Sequence, residues 1–121
     1  MNNNLAKVLF CDAEAVLLAA IEFRFRKHGL EIVAAKRRDA AKQMQMQQPR
    51  LVVIDAEANP AAALTLLRDI KSQTEALPVI IISPVEDEEA LWETLDAGAD
   101  DFVTKPFKPI ELVLRVRRLL K

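Results

Sequence analysis

A chain of 121 residues has room for one domain with its own core and needs no disulfide framework to hold it. Lysine and arginine number 17 against 18 acids, so the formal net charge is -1 and the pI about 5.9, which leaves no electrostatic case for direct nucleic-acid binding. The single cysteine, Cys11, lies in an apolar run and reads as a buried thiol in a reducing compartment. No basic leader opens the chain and no apolar run is long enough to span a bilayer, so the expected setting is the cytoplasm, with no membrane contact.

Residues 1–6 read as a short N-terminal extension of a single domain that continues to residue 121. Lys7 to Cys11 is a short apolar strand that ends in an acid, Asp12. Ala13 to His28 has helical spacing, with Leu18, Ile21 and Phe25 on one face, cations Arg24, Arg26 and Lys27 in the last turns, and Gly29 as the stop. His28 reads as a solvated end of that helix, because no second histidine exists to share a metal. Leu30 to Ala35 is a weaker strand, and Arg38 to Gln48 a polar helix with Met44 as its main core contact.

Leu51 to Ile54 carries the strongest signal. Four consecutive apolar residues, mostly β-branched and following Pro49, form the pattern of a strand buried on both faces in the middle of a parallel sheet. Asp55 emerges at its carboxyl end, the edge where open α/β sheets place their chemistry. Ala61 to Gln73 is a helix with Leu64, Leu67 and Ile70 on one face. Val79 to Ile82 is a second fully apolar strand, ending in Ser83. Glu86 to Ala97 is an acidic helix closed by Gly98, and Asp101 to Thr104 a short strand. Pro109 to Lys121 is a helix with proline first and cations last. That closing basic helix suits either a free-standing domain or one followed by an output segment.

Strands alternating with helices of about three turns specify an α/β fold: a doubly wound, five-stranded parallel sheet with helices on both faces. Four of its strands end in Asp12, Asp55, Ser83 and Lys105, and a doubly wound sheet brings such ends side by side. Each has a plain structural role open to it: Asp12 as a helix cap, Asp55 as a strand end bonding nearby backbone, Ser83 as a turn former before Pro84, Lys105 as a surface charge. Their joint occurrence suits phosphoryl chemistry. A carboxylate can attack phosphorus to form an acyl phosphate, a divalent cation held by carboxylates can neutralise the incoming group, and Lys and Ser can donate to its oxygens.

From about Lys7 to Lys121 the chain resembles the receiver domain of two-component response regulators. The matching stretches are Lys-Val-Leu-Phe-Cys-Asp-Ala-Glu at 7–14, Pro-Arg-Leu-Val-Val-Ile-Asp at 49–55, Pro-Val-Ile-Ile-Ile-Ser at 78–83 and, most specific, Gly-Ala-Asp-Asp-Phe-Val-Thr-Lys-Pro-Phe at 98–107. The resemblance implies a flavodoxin-like (βα)5 fold and a phosphoacceptor at Asp55. It places Ser83 as the phosphate-sensing hydroxyl, Lys105 as the phosphate-binding lysine, and Ser83 with Phe102 as the switch. It puts Mg2+ on Asp12, Asp55 and the backbone carbonyl of Glu57, and implies a cis bond between Lys105 and Pro106. The chain departs from the pattern at Ala13, where the family carries a second acid, and at Asn59, Ala63 and Pro84. Ala13 makes weak Mg2+ binding the expectation. The side chain of Glu57 is expected to be solvated.

The leading reading is a receiver, not an enzyme, that takes a phosphoryl group from a histidine kinase or phosphotransfer protein onto Asp55 and switches a protein-interaction surface. The alternative is a pseudo-receiver that binds proteins without phosphorylation, toward which Ala13 pulls. An aspartyl-nucleophile phosphatase is a remote third, for want of a cap domain and an acid-base partner, and two glycines cannot make a phosphate-cradling loop for a flavin or dinucleotide carrier. From Glu86 to Asp101 there are acids and no Lys or Arg, whereas the last helix is basic. A homodimer through the last two helices and last strand is therefore expected as one possibility, with Asp101 and Arg115 as the pairing positions implied by the resemblance. Pairing within one chain, favoured by the helix dipoles, is the other.

Overall fold

In the computed structural model, which describes residues 5–84 and 87–121, the chain runs β1 (Ala6–Cys11), α1 (Ala15–Lys27), β2 (Leu30–Ala35), α2 (Ala40–Gln47), β3 (Leu51–Asp55), α3 (Pro60–Gln73), β4 (Val79–Ser83), α4 (Glu88–Asp96), β5 (Asp101–Thr104) and α5 (Pro109–Leu119). A short 3-10 turn, Arg37–Asp39, precedes α2. The five strands form one parallel sheet in the order β2-β1-β3-β4-β5. This is the doubly wound, flavodoxin-like architecture expected, with β1 and β3 adjacent where the chain reverses its direction of winding.

Alternation along the strands divides the core in two. Val8 and Phe10 of β1, Leu51 and Val53 of β3, and Ile80 and Ile82 of β4 face one side and pack against Ile21 and Phe25 of α1 and Leu112, Val113 and Val116 of α5. Their neighbours Leu9, Cys11, Val52, Ile54, Val79 and Ile81 face the other side and meet Ala40 of α2 and Ala63, Leu67 and Ile70 of α3. All five residues of β3 are buried, which is why its sequence runs apolar instead of alternating. The Phe10 and Phe25 rings meet edge to face at 5.6 Å between centroids.

Several boundaries differ from those the sequence suggests. β1 begins at Ala6, the last residue of the stretch read as an extension, which pairs with Leu30. α1 begins at Ala15 instead of Ala13, because Asp12 takes a left-handed conformation with φ +63° and Glu14 is extended. In α2 the fully buried residue is Ala40, and Met44 packs only partly, since the 3-10 turn sets that helix start against the sheet. In α3 Ala63 joins Leu67 and Ile70 as a buried residue, while Leu64 is half-buried. Asn59 caps this helix, accepting from the Ala62 N–H at 3.0 Å. Asp87 caps α4; Glu86, read as its first residue, lies outside the described residues. No helix among the described residues is long and apolar enough to cross a membrane.

Candidate functional site

The buried strand β3 carries Asp55 to the carboxyl edge of the sheet, where it is 5% exposed. Its backbone pairs with Ile82, and the next residue, Ala56, donates to the Ile82 carbonyl at 2.8 Å, so the loop after β3 starts from a fixed point. One oxygen of Asp55 performs the strand-ending role open to it: Oδ1 accepts from the Glu57 N–H at 3.0 Å. The other, Oδ2, accepts from Lys105 Nζ at 2.8 Å.

Lys105 comes from the far side of the sheet. It follows β5, its N–H donates to the Ser83 carbonyl at 2.9 Å, and the bond to Pro106 is cis, as expected. These ties aim its side chain back across β4 to Asp55. The ammonium also reaches Glu57 Oε1 at 2.7 Å, so it bridges two carboxylates. Burial pulls the Lys105 ammonium down, but the hydrogen bonds and charges of Asp55 and Glu57 outweigh it and hold the group above its ordinary range. The Glu57 carboxylate is thus paired, not merely solvated as expected.

Ser83 ends β4 beside Asp55, at 8% exposure. Phe102 of β5 is half-buried against the second half of the core. Both line a cavity of about 270 Å³ between α3 and α4, together with Ala56, Leu67 and Thr94. Asp12 sits at the end of β1, across the reversal point from Asp55, and is turned onto a different partner. Its Oδ1 accepts from the Arg37 N–H at 2.9 Å and its Oδ2 from Arg37 Nη1 at 2.8 Å. Ala13 packs against the core and brings no oxygen beyond its backbone carbonyl.

The sheet therefore gathers Asp12, Asp55, Ser83 and Lys105 along one edge, adds the Glu57 carboxylate, and introduces Arg37, which sequence reading passed over between a strand and a helix. The missing signal was topological: Arg37 follows β2, the neighbour of β1 in the sheet, so it lies beside Asp12 only once the strand order is known. As a cation site the arrangement fits poorly. Both Asp12 oxygens are occupied by Arg37, both Asp55 oxygens accept protein hydrogen bonds, and the Glu57 carboxylate is on Lys105. Among the described residues no three His, Cys, Asp or Glu side chains form a group able to hold a metal.

Asp101 and Arg115 lie apart from this edge and pair within the chain. Arg115 Nη1 donates to Asp101 Oδ1 at 3.0 Å and Oδ2 at 2.9 Å, and Arg118 adds a contact at 3.3 Å. The hydrogen bond to Asp101 leads in raising the Arg115 guanidinium above its usual value.

Residues 8–117 match the model of the response regulator receiver domain. The chain is 35% identical over 115 residues to "Probable transcriptional regulatory protein TcrX" of Mycobacterium tuberculosis, covering 94% of this chain and 49% of that protein. Among solved structures, the receiver domain of the Francisella response regulator 1452 superposes with a TM-score of 0.84 at 30% identity, covering 95% of this chain and 96% of that one. A response regulator from Thermotoga maritima gives a TM-score of 0.87 at 23% identity, over 96% of this chain and 98% of that one, a likeness of fold alone. The chain spans about half the length of the curated relatives it matches.

Proposed function

Because the chain belongs to the response regulator receiver domain family of two-component systems, we propose that it accepts a phosphoryl group on Asp55 from a histidine kinase or phosphotransfer protein and relays that event through a protein-interaction surface. The supporting observation is the pair of Asp55 and Lys105 at 2.8 Å on the edge of the sheet. An Asp55 oxygen forms the new bond to phosphorus as the phosphorus–nitrogen bond of a phosphorylated imidazole breaks, and the electron pair of that bond passes to the ring nitrogen. Lys105 then balances charge on the phosphoryl oxygens, the Ser83 hydroxyl donates to one of them, and Phe102 repacks toward the cavity it lines. The chain acts as an acceptor and switch, not an enzyme, and its setting is the cytoplasm.

Receiver domains generally bind Mg2+ at their acidic pocket. Here Ala13 and the engagement of Asp12 favour weak Mg2+ binding. The same observation favours a second reading, a pseudo-receiver that keeps the fold as a protein-binding module. Treatment with phosphoramidate followed by intact-mass measurement separates the two. One phosphoryl group on wild type and none on Asp55→Asn is expected; an adduct surviving in Asp55→Asn contradicts the assignment, and no adduct on wild type supports the second reading.

A further inference from the structure

We propose that Arg37 is a built-in counter-ion for Asp12, a tethered guanidinium that holds the carboxylate other receivers offer to a divalent cation. Three hydrogen bonds clamp the ends of β1 and β2 together. The Asp12 N–H donates to the Ala35 carbonyl at 2.9 Å, the Arg37 N–H to Asp12 Oδ1 at 2.9 Å, and Arg37 Nη1 to Asp12 Oδ2 at 2.8 Å. The left-handed turn at Asp12 belongs to this clamp, and Asp is among the few residues that adopt it readily. With the guanidinium on Oδ2 and the Arg37 N–H on Oδ1, a cation reaching Asp12 meets a like charge at hydrogen-bond distance and competes with it for the carboxylate.

The charge count along this edge bears on how much a divalent cation can gain there. Asp12, Asp55 and Glu57 contribute three negative charges, and Lys105 and Arg37 two positive ones, all linked by contacts of 2.7–2.8 Å. The acids therefore exceed the cations by one, and no carboxylate of the three lacks a cation. A second acid at position 13 would add a charge that one guanidinium could not balance. A divalent cation gains less here, since it meets one fewer carboxylate and a like charge already in place.

The inference takes the receiver reading as its setting, but its test reads cation binding without phosphoryl transfer, so the two fail separately. Mg2+ titrations followed by backbone amide resonances at residues 12, 37, 55 and 57 compare wild type, Arg37→Ala, Arg37→Gln, Ala13→Asp and the double variant Ala13→Asp with Arg37→Ala. The Arg37 side chain is 43% exposed and its backbone N–H is retained in every variant, and a urea unfolding curve for each variant checks the fold before titration. Arg37→Ala is expected to bind Mg2+ at least about tenfold more tightly, the scale of one hydrogen bond between charged groups. Arg37→Gln, which removes the charge but keeps a donor, should fall between. Ala13→Asp should gain more affinity in the Arg37→Ala background than alone. An Arg37→Ala affinity equal to or below that of wild type, including no binding by either, overturns the proposal.

Discussion

Lys105 and Cys11 both hold their protons more tightly in the fold than in an unfolded chain, for different reasons. At Lys105 two carboxylates outweigh the cost of burial and raise the ammonium above its ordinary 10.5. At Cys11 burial, with the negative charge of Asp12 behind it, pushes the thiol from 9.0 up to about 12. Between these values the unfolded chain binds fewer protons than the folded one, so stability falls as pH rises. The Cys11 contribution is fully present below pH 9.0 and disappears as pH approaches 12; that of Lys105 is present below 10.5 and lost above it. Urea midpoints should therefore hold steady from neutral pH to about 9 and then decline, and Cys11→Ala should show a shallower decline. An identical alkaline slope in Cys11→Ala would contradict this. Asp55 and Lys105 were legible in the sequence because the first ends a strand and the second directly follows one. The reach of Glu57 to Lys105 was not, because a loop side chain finds its partner only after the sheet has brought β3 and β5 to one edge.

The connection from α3 into β4 hangs on one ammonium. Lys71 Nζ donates to the carbonyls of Glu75 at 3.1 Å and Leu77 at 2.7 Å and to Asp100 Oδ2 at 2.8 Å, and that same Oδ2 accepts from the Val79 N–H at 2.8 Å. Asp100 thereby ties the start of β4 to the turn before β5, beside Gly98, whose φ is +107° and where an added Cβ would fall 3.2 Å from Lys71 Cγ, leaving little room for a side chain. Asp100→Ala leaves the Val79 N–H and the ammonium short of an acceptor and should cost about 1–3 kcal/mol in urea unfolding. A loss below a few tenths would show that water replaces the carboxylate. Every strand was legible to within a residue, because buried parallel strands are short apolar runs with polar ends. The helix starts were less so: hydrophobic spacing does not register a left-handed residue such as Asp12 or a 3-10 turn such as Arg37–Asp39.

Across the whole molecule, charge is divided between the last two helices. α4 carries Glu88, Glu89, Glu93 and Asp96, and α5 carries Arg115, Arg117 and Arg118. The Asp101 and Arg115 pair is already closed within the chain, so a dimer through this face has to exchange those bonds or add to them. Trp92 at 70%, Leu95 at 46% and Leu114 at 57% exposure supply apolar area on the same two helices. We expect weak association at low salt that weakens further with added salt and in Trp92→Ser, read by sedimentation. A strict monomer at high concentration and low salt, or a dimer indifferent to both, would contradict this. The sheet order was implied by family resemblance, not by alternation of elements, which specifies parallel strands without ranking them. That order makes Asp55 the carboxylate nearest the middle of the edge, and the proposal that it accepts the phosphoryl group is the central claim to test. Reduction with borohydride after phosphoramidate treatment converts a phosphorylated aspartate to homoserine, which peptide mass spectrometry locates. Homoserine at position 55 alone, absent without the phosphodonor, is expected; homoserine at Asp12 or any other carboxylate, or none at all, would contradict Asp55 as the phosphoacceptor.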